Sequence, residues 1–147
     1  MTRMGPSLLV VSVAFLTSVT LGGQQAGMVD MEGQTSKMKA EEIVAGHLQE
    51  LNGHYKLRVS ELTFEPGAHI GPHHHAGPGI RCVTAGQIEL TFEQPSKSSV
   101  YSAGECFFES GDVTHTTRNR SGKPVLVLNF EILPATWSGG SAIPVPK

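Results

Sequence analysis

The sequence predicts an all-β domain, either a sandwich or a small barrel. Three observations predict it. Short apolar segments recur at intervals of roughly 8 to 12 residues, with turn signals between them. Seventeen glycines and nine prolines are spread through the 147 residues, a density that breaks up long helices. No segment after the first 26 residues carries a sustained apolar period of about 3.6.

Residues 1–26 read as a secretory signal peptide: Arg3 near the start, a mostly apolar and uncharged run over residues 7–22, then small and polar residues. The run of about 16 residues falls short of the roughly 20 that cross a bilayer. The mature chain is therefore expected to be secreted or periplasmic, without a membrane span. Residues 27–41 are polar and without a period, and read as a flexible lead-in. The domain itself is expected over residues 42–134, with a tail over 135–147 that is rich in Pro and Gly and holds the single tryptophan, Trp137.

Within the domain, IVAGHL (residues 43–48) reads as a strand ended by the Asn52-Gly53 turn. In HYKLRVSELTF (residues 54–64), Leu57 and Val59 share one face while Leu62 and Phe64 share the other, which predicts a bulge or a strand buried on both sides. Pro66-Gly67 ends that strand. Residues 80–86 and 88–92 predict a hairpin about Gly86, with Ile88, Leu90 and Phe92 inward and Glu89 and Thr91 outward. PVLVLNFEIL (residues 124–133) is a nearly continuous apolar run and reads as a buried strand. Phe92, Phe107, Phe108 and Phe130 are expected to build the core.

The formal charge is −2, and −3 once Arg3 is removed. The charges are scattered and form no basic stripe, which excludes a nucleic-acid binder. The two cysteines, Cys82 and Cys106, fit either a single disulfide in an exported protein or two free thiols.

The chemistry-bearing stretch is GPHHHAGPG, residues 71–79. On a strand, alternate side chains share a face, so His73 and His75 reach toward one point and His74 faces away. Neutral imidazoles at that spacing suit zinc, iron, copper and nickel. A third histidine, His115, follows the turn SGD at residues 110–112. His47 and His54 stand in no comparable pattern.

These residues resemble the two motifs of the cupins, small single-domain proteins of the conserved-barrel type. Gly67, His73, His75 and Gly86 stand at the spacing of the first motif. Gly104, His115 and Asn119 stand at the spacing of the second. The resemblance covers residues 62–132 and departs from the family in two places. Ser110 and Asp112 replace the proline and glycine of the second motif. Gly79 stands where the first motif has a glutamate, so the usual fourth metal ligand is missing.

The resemblance implies an antiparallel double-sheet jelly-roll β-barrel. It also implies a divalent transition metal on His73, His75 and His115, with iron favoured and Mn, Zn, Cu or Ni as alternatives. Three arrangements remain open: three histidines with open positions, recruitment of His69, or loss of the metal. Arg81, two residues beyond Gly79, would face the ligands and hold an anionic or chelating substrate. The missing side chain at Gly79 would leave space for that substrate. The implied function is a metal-dependent enzyme, oxygenase-type or else an isomerase or lyase, with a non-catalytic binding module as the alternative. The resemblance further implies a homodimer. It also places Cys82 and Cys106 on neighbouring strands, close enough for a disulfide.

Overall fold

The computed structural model describes residues 28–145, so the expected signal segment lies outside the described residues. The described chain forms strands β1 (Met31–Ile43), β2 (Tyr55–His75), β3 (Gly79–Ala85), β4 (Gln87–Phe92), β5 (Lys97–Ser102), β6 (Cys106–Glu109), β7 (His115–Arg118), β8 (Val125–Pro134) and β9 (Ala142–Pro144). Their order is β5-β4-β7-β2-β8-β3-β6, with β1 and β9 also on β2. All pairings are antiparallel, and the sheet curls into a nearly closed barrel. Among the described residues no helix is long and apolar enough to cross a membrane.

Strand β2 organises the barrel. Its first half pairs with β8 from Tyr55↔Pro134 to Phe64↔Val125 without a break. Its second half pairs with β7, bringing His73 opposite His115. The partners change after Pro66-Gly67, where Gly67 has φ +81°, a conformation open to glycine at little cost. Asn119 locks the same corner. Its buried amide donates to the carbonyls of Phe64, Glu65 and Lys123, and its oxygen accepts from the Ser121 amide. The asparagine of the second motif is therefore a clamp on the backbone. The core of Phe64, Ile70, Val83, Ile88, Leu90 and Val127 fills one end of the barrel.

Several expectations are corrected. There is no hairpin at Gly86: β3 pairs with β6 and β8, while β4 pairs with β5 and β7. One glycine, with φ +76°, turns a corner between layers but cannot reverse the chain to bring the strands side by side. Residues 44–54 form turns, so IVAGHL contributes only its first residue to a strand. The expected lead-in instead forms β1, paired with β2 from Met31↔Ile70 to Ile43↔Lys56. It shows no apolar alternation because one of its faces lines an open groove, through Met31, Gln34, Ser36 and Met38.

The face shift read in β2 is not a bulge. Lys56 and Ser60 are buried on the inner side, while Leu57 is 52% exposed on the outer side. Strand β8 repeats the inversion: Asn129 and Glu131 point in, while Phe130 and Ile132 are partly exposed. Phe108, expected in the core, is 62% exposed. At this end the barrel is polar inside and apolar outside.

Cys82 and Cys106 face each other across β3 and β6 and form a disulfide. The bond staples β3, which carries Gly79 and Arg81, to β6, which carries Glu109.

Candidate metal centre

His73 and His75 come from the end of β2, and His115 opens β7. Their ring centroids lie 4.3 to 5.2 Å apart, and a ligand nitrogen from each lies within 4.8 Å of the others. His73 and His115 are buried, and His75 stands at the rim.

Each ring is oriented by its other nitrogen. His73 Nδ1 lies 2.8 Å from the Gly71 carbonyl and His115 Nδ1 lies 3.0 Å from that of Val113. A carbonyl only accepts, so both Nδ1 atoms carry a proton, and in the neutral ring this leaves the Nε2 lone pair directed at the cluster. His75 Nδ1 lies 3.3 Å from Ser141 Oγ, whose own hydrogen goes to Glu131. In the neutral ring this likewise leaves the His75 Nε2 lone pair for the cluster. Such outer partners commonly fix the tautomer of metal-ligating histidines. Burial, with the neighbouring His115, lowers the His73 pKa to about 3, so that ring stays neutral.

A carboxylate also enters the cluster. Glu109 Oε2 lies 3.1 Å from His75 Nε2, and Glu109 Oε1 lies 3.1 Å from His115 Nε2. Burial pushes this carboxyl up. Its contacts with His115 and His75 and the Arg81 charge outweigh that and hold it well below the usual carboxylate range.

Arg81 faces the ligands, as its parity predicts. Its Nε lies 2.8 Å from Glu109 Oε2, and its Nη2 lies 3.3 Å from Glu131 Oε1. Glu131 is also held by Arg58, at 2.9 Å. The space expected beside Gly79 is not open. A Cβ there would lie 1.9 Å from Arg81 Nη1 and 2.4 Å from the Phe130 carbonyl oxygen. The glycine makes room for the guanidinium and for a close approach of β8.

His69 lies outside the cluster, 3.5 Å from Asp30. A register shift between Ile70 and His73 breaks the parity that would have aimed it inward. His74 is likewise outside, on the face opposite its neighbours. In the second motif the positive-φ glycine is Gly111, one place early, and its carbonyl receives the His75 amide.

The sequence reading assigned no role to Glu109, Glu131 or Ser141. For Glu109 a signal existed. Three residues back from Cys82 and three forward from Cys106 lead to Gly79 and Glu109, which face each other.

The donor set fits a divalent transition metal. It comprises three imidazole Nε2 atoms, with His115 Nε2 and Glu109 Oε2 buried and lacking a hydrogen-bond partner. A small apolar space of about 40 Å3, lined partly by Phe64, Ile70 and Phe107, adjoins the histidines. A groove of about 500 Å3 passes His75 between β1 and the loop before β9.

A cupin domain family model matches residues 60–131. No curated protein sequence matches the chain significantly. Solved structures share the fold at low identity. A cupin domain from Bordetella pertussis Tohama I is 20% identical, with a TM-score of 0.51, over 72% of this chain and 98% of that one. The polyketide cyclase RemF from Streptomyces resistomycificus is 14% identical, with a TM-score of 0.57, over 80% and 75%. An oxalate oxidase is 17% identical, with a TM-score of 0.56, over 89% and 63%. Both motifs, the barrel and the family match agree: the chain belongs to the cupin superfamily.

Proposed function

We propose that the protein is a mononuclear metalloenzyme acting on a small anionic or chelating molecule, with oxygenase-type chemistry and iron favoured. The observation that carries this reading is the convergence of three oriented Nε2 lone pairs beside a groove. A metal held there would supply Lewis-acid activation of a chelating substrate and, if redox-active, a place for O₂.

The chain's own residues limit what can bind. The space at the histidines is about 40 Å3, room for a few atoms at roughly 10 to 15 Å3 per water-sized probe. The rest of a substrate would lie in the groove, past His75 and beside Arg58 and Lys56. Leu62, Phe64, Ile70 and Phe107 keep the inner space apolar, which strengthens electrostatic interactions there. The ion-paired groups nearest the histidines already balance, Arg58 and Arg81 against Glu109 and Glu131. Three neutral imidazoles do not offset a divalent cation, so an anionic substrate is favoured. The oxalate oxidase relative supports this direction, since its name gives an anionic substrate and an oxidation.

One observation favours the alternative, a non-catalytic metal- or small-molecule-binding module. Arg81, expected to anchor a substrate anion, is engaged by Glu109 and Glu131. An oxygen electrode separates the two readings. Iron-loaded protein given dicarbonyl, dicarboxylate or catechol-like chelators is expected to consume O₂ with turnover, and His115→Ala is not. Thermal stabilisation by a chelator without O₂ uptake or product would assign the binding module.

We also propose that the protein is exported and forms a homodimer. The Cys82–Cys106 bond supports an oxidising compartment. Phe108, Ile80 and Phe130 lie side by side on the outer face, as do Leu57 and Ile132, and all five are at least 37% exposed. An apolar surface of that kind marks an association site. One extracytoplasmic sample tests both proposals. Intact mass is expected to lack the first 26 residues or so, and light scattering to give twice the chain mass. A full-length mass or a monomer would overturn the respective proposal.

A further inference from the structure

The first cupin motif has lost its carboxylate at Gly79, yet a buried carboxylate stands among the histidines. We infer that Glu109 of β6 is the metal's fourth protein ligand, supplied across the strand pair in place of the side chain missing from β3. This rests on the metal-site reading above.

The register makes the substitution geometric. Gly79 faces Glu109 directly, and both are buried on the inner side of the barrel. A carboxylate leaving from residue 109 thus enters the space served by residue 79, one strand over. The disulfide between Cys82 and Cys106 holds that register from the other end of the same ladder.

The atoms also require a positive charge between them. His75 and His115 each direct Nε2 at a Glu109 oxygen, at 3.1 Å, and in the neutral rings that their Nδ1 partners favour these nitrogens carry lone pairs. Two lone pairs facing a carboxylate repel unless a cation lies between them. Both Glu109 oxygens face imidazole nitrogens, and Oε2 and His115 Nε2 lack a hydrogen-bond partner. Arg81 lies behind the carboxylate, with Nε 2.8 Å from Oε2, and holds it in place as an ion-pair partner. The same residue explains Gly79, since its guanidinium lies where a Cβ would be. The ligand, its orienting arginine and the glycine form one arrangement that replaces a single glutamate.

Zn(II) and Co(II) titration by calorimetry, with infrared difference spectra of metal-bound minus metal-free protein, tests the inference. Glu109→Gln is expected to weaken metal binding by about 100-fold or more, above the range typical of outer partners. Glu61→Gln, which removes a carboxylate paired with Lys39 outside the histidine cluster, is expected to bind within a few-fold of wild type. Metal-sensitive carboxylate stretching bands are expected in wild type and in Glu61→Gln, and to vanish in Glu109→Gln. Near-UV circular dichroism verifies that each variant is folded, and Glu109→Asp replaces Glu109→Gln if that variant is not. Wild-type affinity in Glu109→Gln, or unchanged carboxylate bands, would overturn the inference while leaving the three-histidine site standing. Failure of the wild-type protein to bind metal would overturn both.

Discussion

Purified without a histidine tag, the protein is expected to hold about one transition metal ion per chain, and the His73→Ala/His75→Ala variant none. The expectation follows from how the site is built. His73 and His75 leave the same strand on the same face, and each Nδ1 is committed to an oxygen of the chain, Gly71 O and Ser141 Oγ. Their Nε2 atoms are thus set before any metal arrives. Removing both leaves at most His115 and Glu109, and two protein donors fall short of the three or four that hold a divalent transition metal. The effect extends to stability. Metal at 100 times its dissociation constant adds about 2.7 kcal/mol to the folded state. For a domain of this size that raises the melting temperature by roughly 10 °C. Wild-type protein is expected to show such a rise with added metal, and the double variant less than a degree. Elemental analysis and a melting series read both effects. Equal metal content in the two proteins would move the metal elsewhere, and no metal in either after reloading would leave the barrel a binding module.

How much of this was legible in the sequence depends on distance along the chain. His73 and His75 are two residues apart on one strand, so strand parity alone put them together. His115 came with the second motif, and the structure places it opposite His73. The barrel was legible from the short segments and their turns. What local patterning missed lies where the pattern inverts. Lys56, Arg58 and Ser60 on β2, with Asn129 and Glu131 on β8, line the groove from inside. Leu57, Phe130 and Ile132 sit outside. A rule that places apolar residues inward misreads such strands, and the misreading marks a polar cavity. The corner at Gly86 was misread for a different reason. Two apolar segments joined through a glycine satisfy a hairpin pattern, and only tertiary pairing shows that they belong to different layers. Strand β1 had no pattern to read, since backbone pairing with β2 holds it and its side chains are mostly exposed.

Restoring the family's glutamate is expected to destroy the site rather than complete it. Gly79→Glu places a Cβ 2.4 Å from the Phe130 carbonyl oxygen, a backbone atom that cannot give way without moving β8. It also places that Cβ 1.9 Å from Arg81 Nη1, which forces the guanidinium out. Overpacking of that kind costs about 3 kcal/mol or more. Displacing Arg81 adds to it, because Glu109 and Glu131 then remain buried without the cation they share. Breaking one side of such a buried pair commonly costs about 3 to 5 kcal/mol. The terms overlap and do not add in full, so the expected result is a chain that folds poorly and binds metal weakly. Gly79→Ala separates the two causes, since it carries the steric conflict without a new charge. It is expected to lose most of the same stability in a denaturant titration, with metal affinity reduced through the displaced Arg81. A Gly79→Glu protein that melted at the wild-type temperature and bound metal more tightly would refute this account. The carboxylate position on β3 would then be open, and Arg81 would not be the reason the glycine is there.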